Sequence, residues 1–190
     1  MGNREDLLSG ARQAILDHGL AKVTARDIAK AAGVSLAAIG YHFGSKDQLV
    51  TEALTEGVGA AIGDEMDAVI KRAGQGRSAG ESVAGTWDGF LDILRGNQQA
   101  LLLSLENGLR IARNPESQAF MNEATGRALG EMAELLRDTH PDLSPDQAAA
   151  VAKMLFLLFQ GMSLQSLIAP GGDLFDGDDL VRAIEALGSR

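Results

Sequence analysis

Four side chains that lie close together in the sequence, Ala37, Ala38, Tyr41 and His42, have the chemistry of a nucleic-acid contact. Alanines let a helix backbone approach a groove floor and can touch a thymine methyl, while a phenol and an imidazole can hydrogen-bond to phosphate oxygens or base edges. Lys46 follows closely. It opens a segment capped by Ser45, with Gln48 at the capping-box position, so that its ammonium and the first amides of that helix would face a phosphate.

These side chains need short elements to hold them. Thr24 can cap a helix whose third position is Asp27, and Ile28, Ala29 and Ala32 then fall on one face. Gly33 tolerates the left-handed conformation of a helix C-terminus, and Ser35 can cap the next helix, which leaves only Gly33 and Val34 between the two. The second helix, from Leu36 to Phe43, would bury Ile39 and Phe43 and turn Ala37, Ala38, Tyr41 and His42 outward. Two short helices around a tight turn read as a helix-turn-helix, whose second helix would enter the major groove of DNA, although short helix pairs with glycine turns are also common in helical proteins that bind none.

The runs Thr24-Ala25-Arg26-Asp27-Ile28-Ala29, Ala32-Gly33-Val34-Ser35 and Tyr41-His42-Phe43-Gly44-Ser45-Lys46 resemble the N-terminal domain of TetR-family transcriptional regulators over about the first fifty residues. The resemblance implies phosphate contacts from Thr24, His42 and Lys46, a base or phosphate contact from Arg26, and groove contacts from Ala37, Ala38 and Tyr41. With Ser35 these form the expected DNA-binding set. One position departs from the pattern: Gly40 stands where the family most often has a tyrosine that anchors the recognition helix on the DNA backbone. A glycine inside a helix costs about 1 kcal/mol relative to alanine.

Charge is distributed unevenly. The first fifty residues carry six cationic and five anionic side chains, a net of +1, which leaves −10 for the remainder of a chain whose total is −9. Lys22, Arg26, Lys30 and Lys46 gather around the motif with only Asp27 and Asp47 beside them, so a locally basic face can meet DNA while the acidic remainder is repelled by it. There is no cysteine, which excludes disulfides, a thiol nucleophile and thiolate metal sites. The N-terminus reads as an amphipathic helix and not as a signal peptide, and the most apolar run, Met154 to Phe159, is far shorter than the ~20 residues that span a bilayer. Cytoplasmic residence without membrane association is the expectation, and the run is read as part of a buried helix.

The remaining elements also read as helices. A first helix is expected from about Glu5 to His18, and a long one from Ser45 to about Arg72 that bridges two domains. Further helices are expected at 81–94, 98–112, from Pro115, from Pro145 to about Ile168, and a last one after the Pro170-Gly171-Gly172 break. Asn114-Pro115 and Ser144-Pro145 each place a capping residue before a proline at the first helical position. The Pro145 helix is apolar on more than one face, so one side should meet the core and the other a partner chain or a cavity. The resemblance implies that the last two long helices pair with their copies in a second subunit. A two-fold dimer reading a palindromic operator is therefore expected.

Trp87, Phe90, Leu105, Met121, Phe156 and Phe159 are the candidates for lining a small-molecule site, although apolar residues at helical spacing also serve as plain core. No metal-binding, phosphate-loop, nucleophile-elbow or dinucleotide motif occurs, and no cofactor is implied. Gly172 to Asp179, GDLFDGDD, lacks the ligand spacing of a calcium loop and reads as a polar loop with a helix cap. The expectation is an all-α protein of about nine helices, with a three-helix DNA-binding domain at 1–50 and a helical ligand-binding and dimerisation domain at 51–190. It would act as a ligand-released repressor and not as an enzyme. The alternative is an apolar-ligand-binding or protein-interaction bundle with degenerate DNA binding.

Overall fold

The computed structural model describes residues 4–170, 172 and 174–188; Gly171 and Asp173, which belong to two of the loops read from the sequence, lie outside them. Among the described residues every regular element is helical. They are α1 (Arg4–His18), α2 (Ala25–Ala31), α3 (Ala37–Phe43), α4 (Lys46–Leu54), α5 (Ala60–Gly74), α6 (Ala79–Gly96), α7 (Gln98–Ile111), α8 (Pro115–Thr139), α9 (Pro145–Ile168) and α10 (Gly177–Gly188). A single π-helical turn, Thr55–Gly59, joins α4 to α5, so the run from Lys46 to Gly74 is one continuous helix, as its unbroken apolar stripe predicts. Counted that way there are nine helices among the described residues.

Local chemistry fixes most of the boundaries. Gly19, Gly33, Gly44 and Gly76 adopt positive φ, and the first three of them close α1, the α2 segment and α3. Asn114 Oδ1 accepts from the amides of Glu116 and Ser117 at the start of α8. At α9 the capping box is complete: Ser144 Oγ accepts from the Gln147 amide and Gln147 Oε1 from the Ser144 amide.

The chain forms two compact units, Met1–Ala61 with Leu102–Asn122, and Ile62–Leu101 with Glu123–Arg190. In the first unit, Leu7, Leu8, Ala11, Ile15, Leu20, Val23, Ile28, Ile39, Phe43, Leu49, Val50 and Leu54 form one buried cluster. The backbones there approach closely: a Cβ placed on Gly10 of α1 would stand 2.6 Å from the Ala32 amide nitrogen. Residues 102–122 join this unit because Leu103 packs on its core, Arg110 pairs with Asp47, and Thr55 donates to Met121 Sδ at 3.3 Å.

The second unit is built around aromatic side chains. Trp87 and Phe90 are fully buried with ring centroids 6.1 Å apart, and Phe159 meets Phe90 edge-on at 5.7 Å. The Trp87 indole donates to the Phe175 carbonyl at 2.7 Å, which holds the end of the α9–α10 connection against α6. His140, 2% exposed, joins the end of α8 to the α5–α6 turn: its Nδ1 faces the Arg77 carbonyl at 3.2 Å, and so carries the proton, while Nε2 meets Ser82 Oγ.

α9 corrects two expectations. It is long and apolar enough to cross a membrane by length and composition, which the short run from Met154 to Phe159 understated. It is also not simply buried. Ala148, Ala152, Leu155, Phe159 and Ser166 form its buried stripe, whereas Leu157, Leu164 and Ile168, on the opposite face by helical spacing, stay exposed. In α10, Ile184 and Leu187 are likewise exposed.

Candidate nucleic-acid interface

α2 and α3 are seven residues each, too short to be stable alone, so packing must hold them. Ile28 and Ala29 of α2 and Ile39 and Phe43 of α3 enter the first unit's core. α2 opens with a complete capping box, in which Thr24 Oγ1 accepts from the Asp27 amide while the Thr24 amide and hydroxyl donate to Asp27 Oδ2 at 2.9 and 2.6 Å. The Thr24 hydroxyl, and then its amide, hold the Asp27 carboxyl below its ordinary pKa. Both Thr24 donors are thus engaged, and a phosphate would have to take the place of Asp27 to receive them.

The turn differs from the expected one in length and in mechanism. Gly33, at φ +66°, donates to the Lys30 carbonyl and Val34 to that of Ala29, the two bonds of a Schellman motif. Five residues, Ala32 to Leu36, separate α2 from α3. Ser35 does not cap α3. The N-cap is Leu36, which has helical φ and ψ and no side-chain bond, and the first turn is closed instead by Ala38 donating to the Ser35 carbonyl at 3.1 Å.

α3 presents Ala37 and Tyr41 on its outer ridge, flanked on one side by Leu36 and Gly40 and on the other by Ala38 and His42. Tyr41 is 85% exposed, and its ring meets His42 edge-on with centroids 4.9 Å apart. Ala37, Gly40 and His42 are exposed, while Ala38 is half-buried against the core. A Cβ on Gly40 would meet nothing within 4 Å, so the helix runs through this glycine without a packing reason for it.

Ser45 caps α4 by accepting from the Gln48 amide at 3.0 Å, as expected, but Gln48 does not complete the box. It is buried, donating through Nε2 to Glu52 at 2.8 Å and accepting from Ser117 Oγ at 3.3 Å. Glu52 in turn pairs with Arg4, which also reaches Glu56 at 2.8 Å and lies 5.3 Å over the Phe43 ring. One guanidinium therefore links α1, α3 and the α4 segment. The Lys46 ammonium donates to the Val23 carbonyl at 3.2 Å, which sets it beside Thr24, the cap of α2. Arg26 is exposed in the first turn of α2, with Lys22 and Lys30 also exposed nearby in sequence.

Thr24, Arg26, Ser35, Ala37, Ala38, Tyr41, His42 and Lys46 thus all lie in the first unit, on or beside a helix-turn-helix. The structure adds Arg4, Leu36 and Gln48, whose partners or exposure no local pattern announced. The ligand-site candidates divide: Trp87, Phe90, Phe156 and Phe159 belong to the second unit, Leu105 and Met121 to the first. Phe156 is half-buried, while Trp87, Phe90 and Phe159 form the aromatic core already described. Among the described residues no group of acidic, histidine or cysteine side chains could hold a metal ion.

Residues 7–53 match the model of the N-terminal domain of bacterial regulatory proteins of the tetR family. Over 170 residues the chain is 29% identical to the HTH-type transcriptional regulator BetI 1 of Chromohalobacter salexigens, an alignment covering 89% of this chain and 81% of that one. It is 42% identical over 53 residues to the HTH-type transcriptional repressor KstR2 of Mycolicibacterium smegmatis, covering 28% and 26%. Among solved structures, a transcriptional regulator from Rhodococcus sp. RHA1 shares the fold with a TM-score of 0.65 at 18% identity, over 97% of this chain and 94% of that one. The multidrug binding protein EbrR, complexed with imidazole, shares it with a TM-score of 0.62 at 22% identity, over 97% and 93%. Residues 7–53 thus carry an N-terminal domain of the tetR-family type, and the relatives that the chain resembles are transcriptional regulators.

Proposed function

We propose that this chain is a repressor that binds a palindromic operator as a homodimer and leaves it when a small molecule binds. The observation carrying the DNA-binding part is the outward ridge of α3, Ala37 and Tyr41, with Lys46 drawn up beside the cap of α2. In this reading α3 enters the major groove, Lys46, His42 and Arg26 contact phosphates, and Thr24 joins them by exchanging Asp27 for a phosphate oxygen.

The exposed stripe of Leu157, Leu164 and Ile168 on α9, with Ile184 and Leu187 on α10, supports a dimer through the C-terminal helices, because apolar rows of this kind mark a surface to be covered. A dimer presents two α3 helices to half-sites about 34 to 36 Å apart or a multiple of that spacing. Ligand response is supported by the large, polarizable core around Trp87, Phe90 and Phe159, and by the complex of a fold relative with a small molecule. A ligand favouring one packing of that core would act on the reading head through the helical run from Lys46 to Gly74. Coupling of about 1 to 3 kcal/mol changes operator affinity 5- to 150-fold.

The test is selection of bound sequences from random duplex DNA, followed by titration of the enriched duplex at two salt concentrations. A palindrome bound by two chains with a steep salt dependence is the expected result. No enrichment would favour a helical bundle with degenerate DNA binding, and Gly40→Tyr, for which the structure has room, would then be the first variant to make.

A further inference from the structure

From Val34 to Phe43 the chain carries no arginine, lysine, asparagine, glutamine, aspartate or glutamate. Those are the side chains that read guanine, adenine or cytosine in the major groove, most strongly through paired hydrogen bonds. The hydrogen-bonding side chains that remain are Ser35, Tyr41 and His42, and the phenol and imidazole of the last two are packed edge-on. The start of α3, the part that enters the groove, offers instead exposed hydrocarbon: Leu36, 48% exposed, and Ala37 beside it. One turn on, Gly40 leaves the helix backbone uncovered, with nothing within 4 Å of where its Cβ would be, so no side chain keeps this end away from a groove floor. The major groove contains one apolar group, the thymine C5 methyl.

We propose that this reading head identifies its operator chiefly by thymine methyl groups, packed against Leu36 and Ala37, and that Leu36 is a specificity-determining residue. The cations that flank the motif, Arg26, Lys30 and Lys46, then set register and affinity on the phosphates, and the hydrocarbon at the centre supplies base identity. The inference rests on the DNA-binding reading above.

The test uses the full chain and the duplex it enriches from a random pool. That duplex is compared with one carrying deoxyuridine for thymidine within the half-sites, which deletes only the methyl groups, and with a control carrying deoxyuridine between the half-sites. Affinity is expected to fall about fourfold for each methyl buried, and to be unchanged in the control. Leu36→Ala should bring the thymine-to-uracil ratio closer to one, while Leu16→Ala, at an exposed leucine of α1 outside the binding set, should leave that ratio as it is. Equal binding of thymine and uracil half-sites, or an unchanged ratio in Leu36→Ala, would overturn the inference and leave DNA reading intact. A pool with no enriched sequence would remove the DNA reading and this inference together.

Discussion

The two compact units solve packing in opposite ways. In the first, fifteen buried side chains include one aromatic, Phe43, and four alanines, and helix backbones meet almost directly where Gly10 faces Ala32. In the second, Trp87, Phe90, Phe159 and Phe175 interlock by their ring edges and faces. Small side chains and close backbones suit a device whose two seven-residue helices must be held in one geometry, because such contacts have little freedom to rearrange. Large side chains fill volume with few contacts to specify, and their loss or displacement leaves large cavities.

Removal of volume should break the second unit most. Trp87→Ala is expected to cost about 3 to 5 kcal/mol, since the ring is fully buried and its indole also fixes the Phe175 carbonyl. A denaturant titration followed by far-ultraviolet circular dichroism measures it, and a loss below about 1 kcal/mol would mean that the aromatic cluster is not what holds the unit together. Addition of volume should break the first. Gly10→Ala places a methyl against the Ala32 backbone and is expected to cost about 1 to 3 kcal/mol, whereas alanine elsewhere in a helix usually stabilises. Amide exchange in α1 and α2 would show the protection lost.

A smaller effect is expected from Thr24→Ala, which deletes the cap of α2 and should cost about 1 kcal/mol. It should also weaken binding to every duplex alike if Thr24 faces a phosphate; unchanged DNA affinity would restrict it to its role as a cap.

The smallest effect is one of pH, and it has opposite signs in the two units. Thr24 lowers the Asp27 pKa in the folded state, so the stability this bond adds is present at neutral pH and is lost as pH falls through the carboxylate range. Asp67 is raised, first by desolvation against a weaker opposing pull from Lys71, so its stabilising contribution is present below its unfolded pKa and is lost as pH rises through the folded value. Asp27→Asn should therefore lower thermal stability at pH 7 and matter progressively less as pH falls through the lowered folded-state pKa, while Asp67→Asn should raise it at pH 7. The same sign for both variants at pH 7 would contradict the contrast.

The reach of sequence reading follows the same division. The helix-turn-helix, the glycine that ends α2 and the caps before Pro115 and Pro145 were legible because each depends on residues a few positions apart. Gln48 was not: local spacing makes it a capping residue, but Ser117, 69 positions away, draws its side chain inward. Arg4 is hidden for the same reason, since Glu52, Glu56 and Phe43 all lie far along the chain. Ser35 misled because a serine before a helix is a common cap, while here the backbone of the tight turn does that work. Residues 102–122 join the first unit through Leu103, Arg110 and Met121, on helices whose own pattern gives no sign of a partner. The apolar excess of α9 was visible, but which side chains face out depended on which stripe the core took.

The meeting of Gly10 with the Ala32 backbone also constrains how this chain can drift. Every amino-acid change reachable from a glycine codon by one nucleotide introduces a larger side chain, and at position 10 each of them enters space held by main-chain atoms. Repair would require α2 itself to move, and α2 carries Thr24 and Arg26. A substitution at position 10 would therefore displace the helix that Thr24 caps and that carries Arg26, although residue 10 itself lies on a different helix.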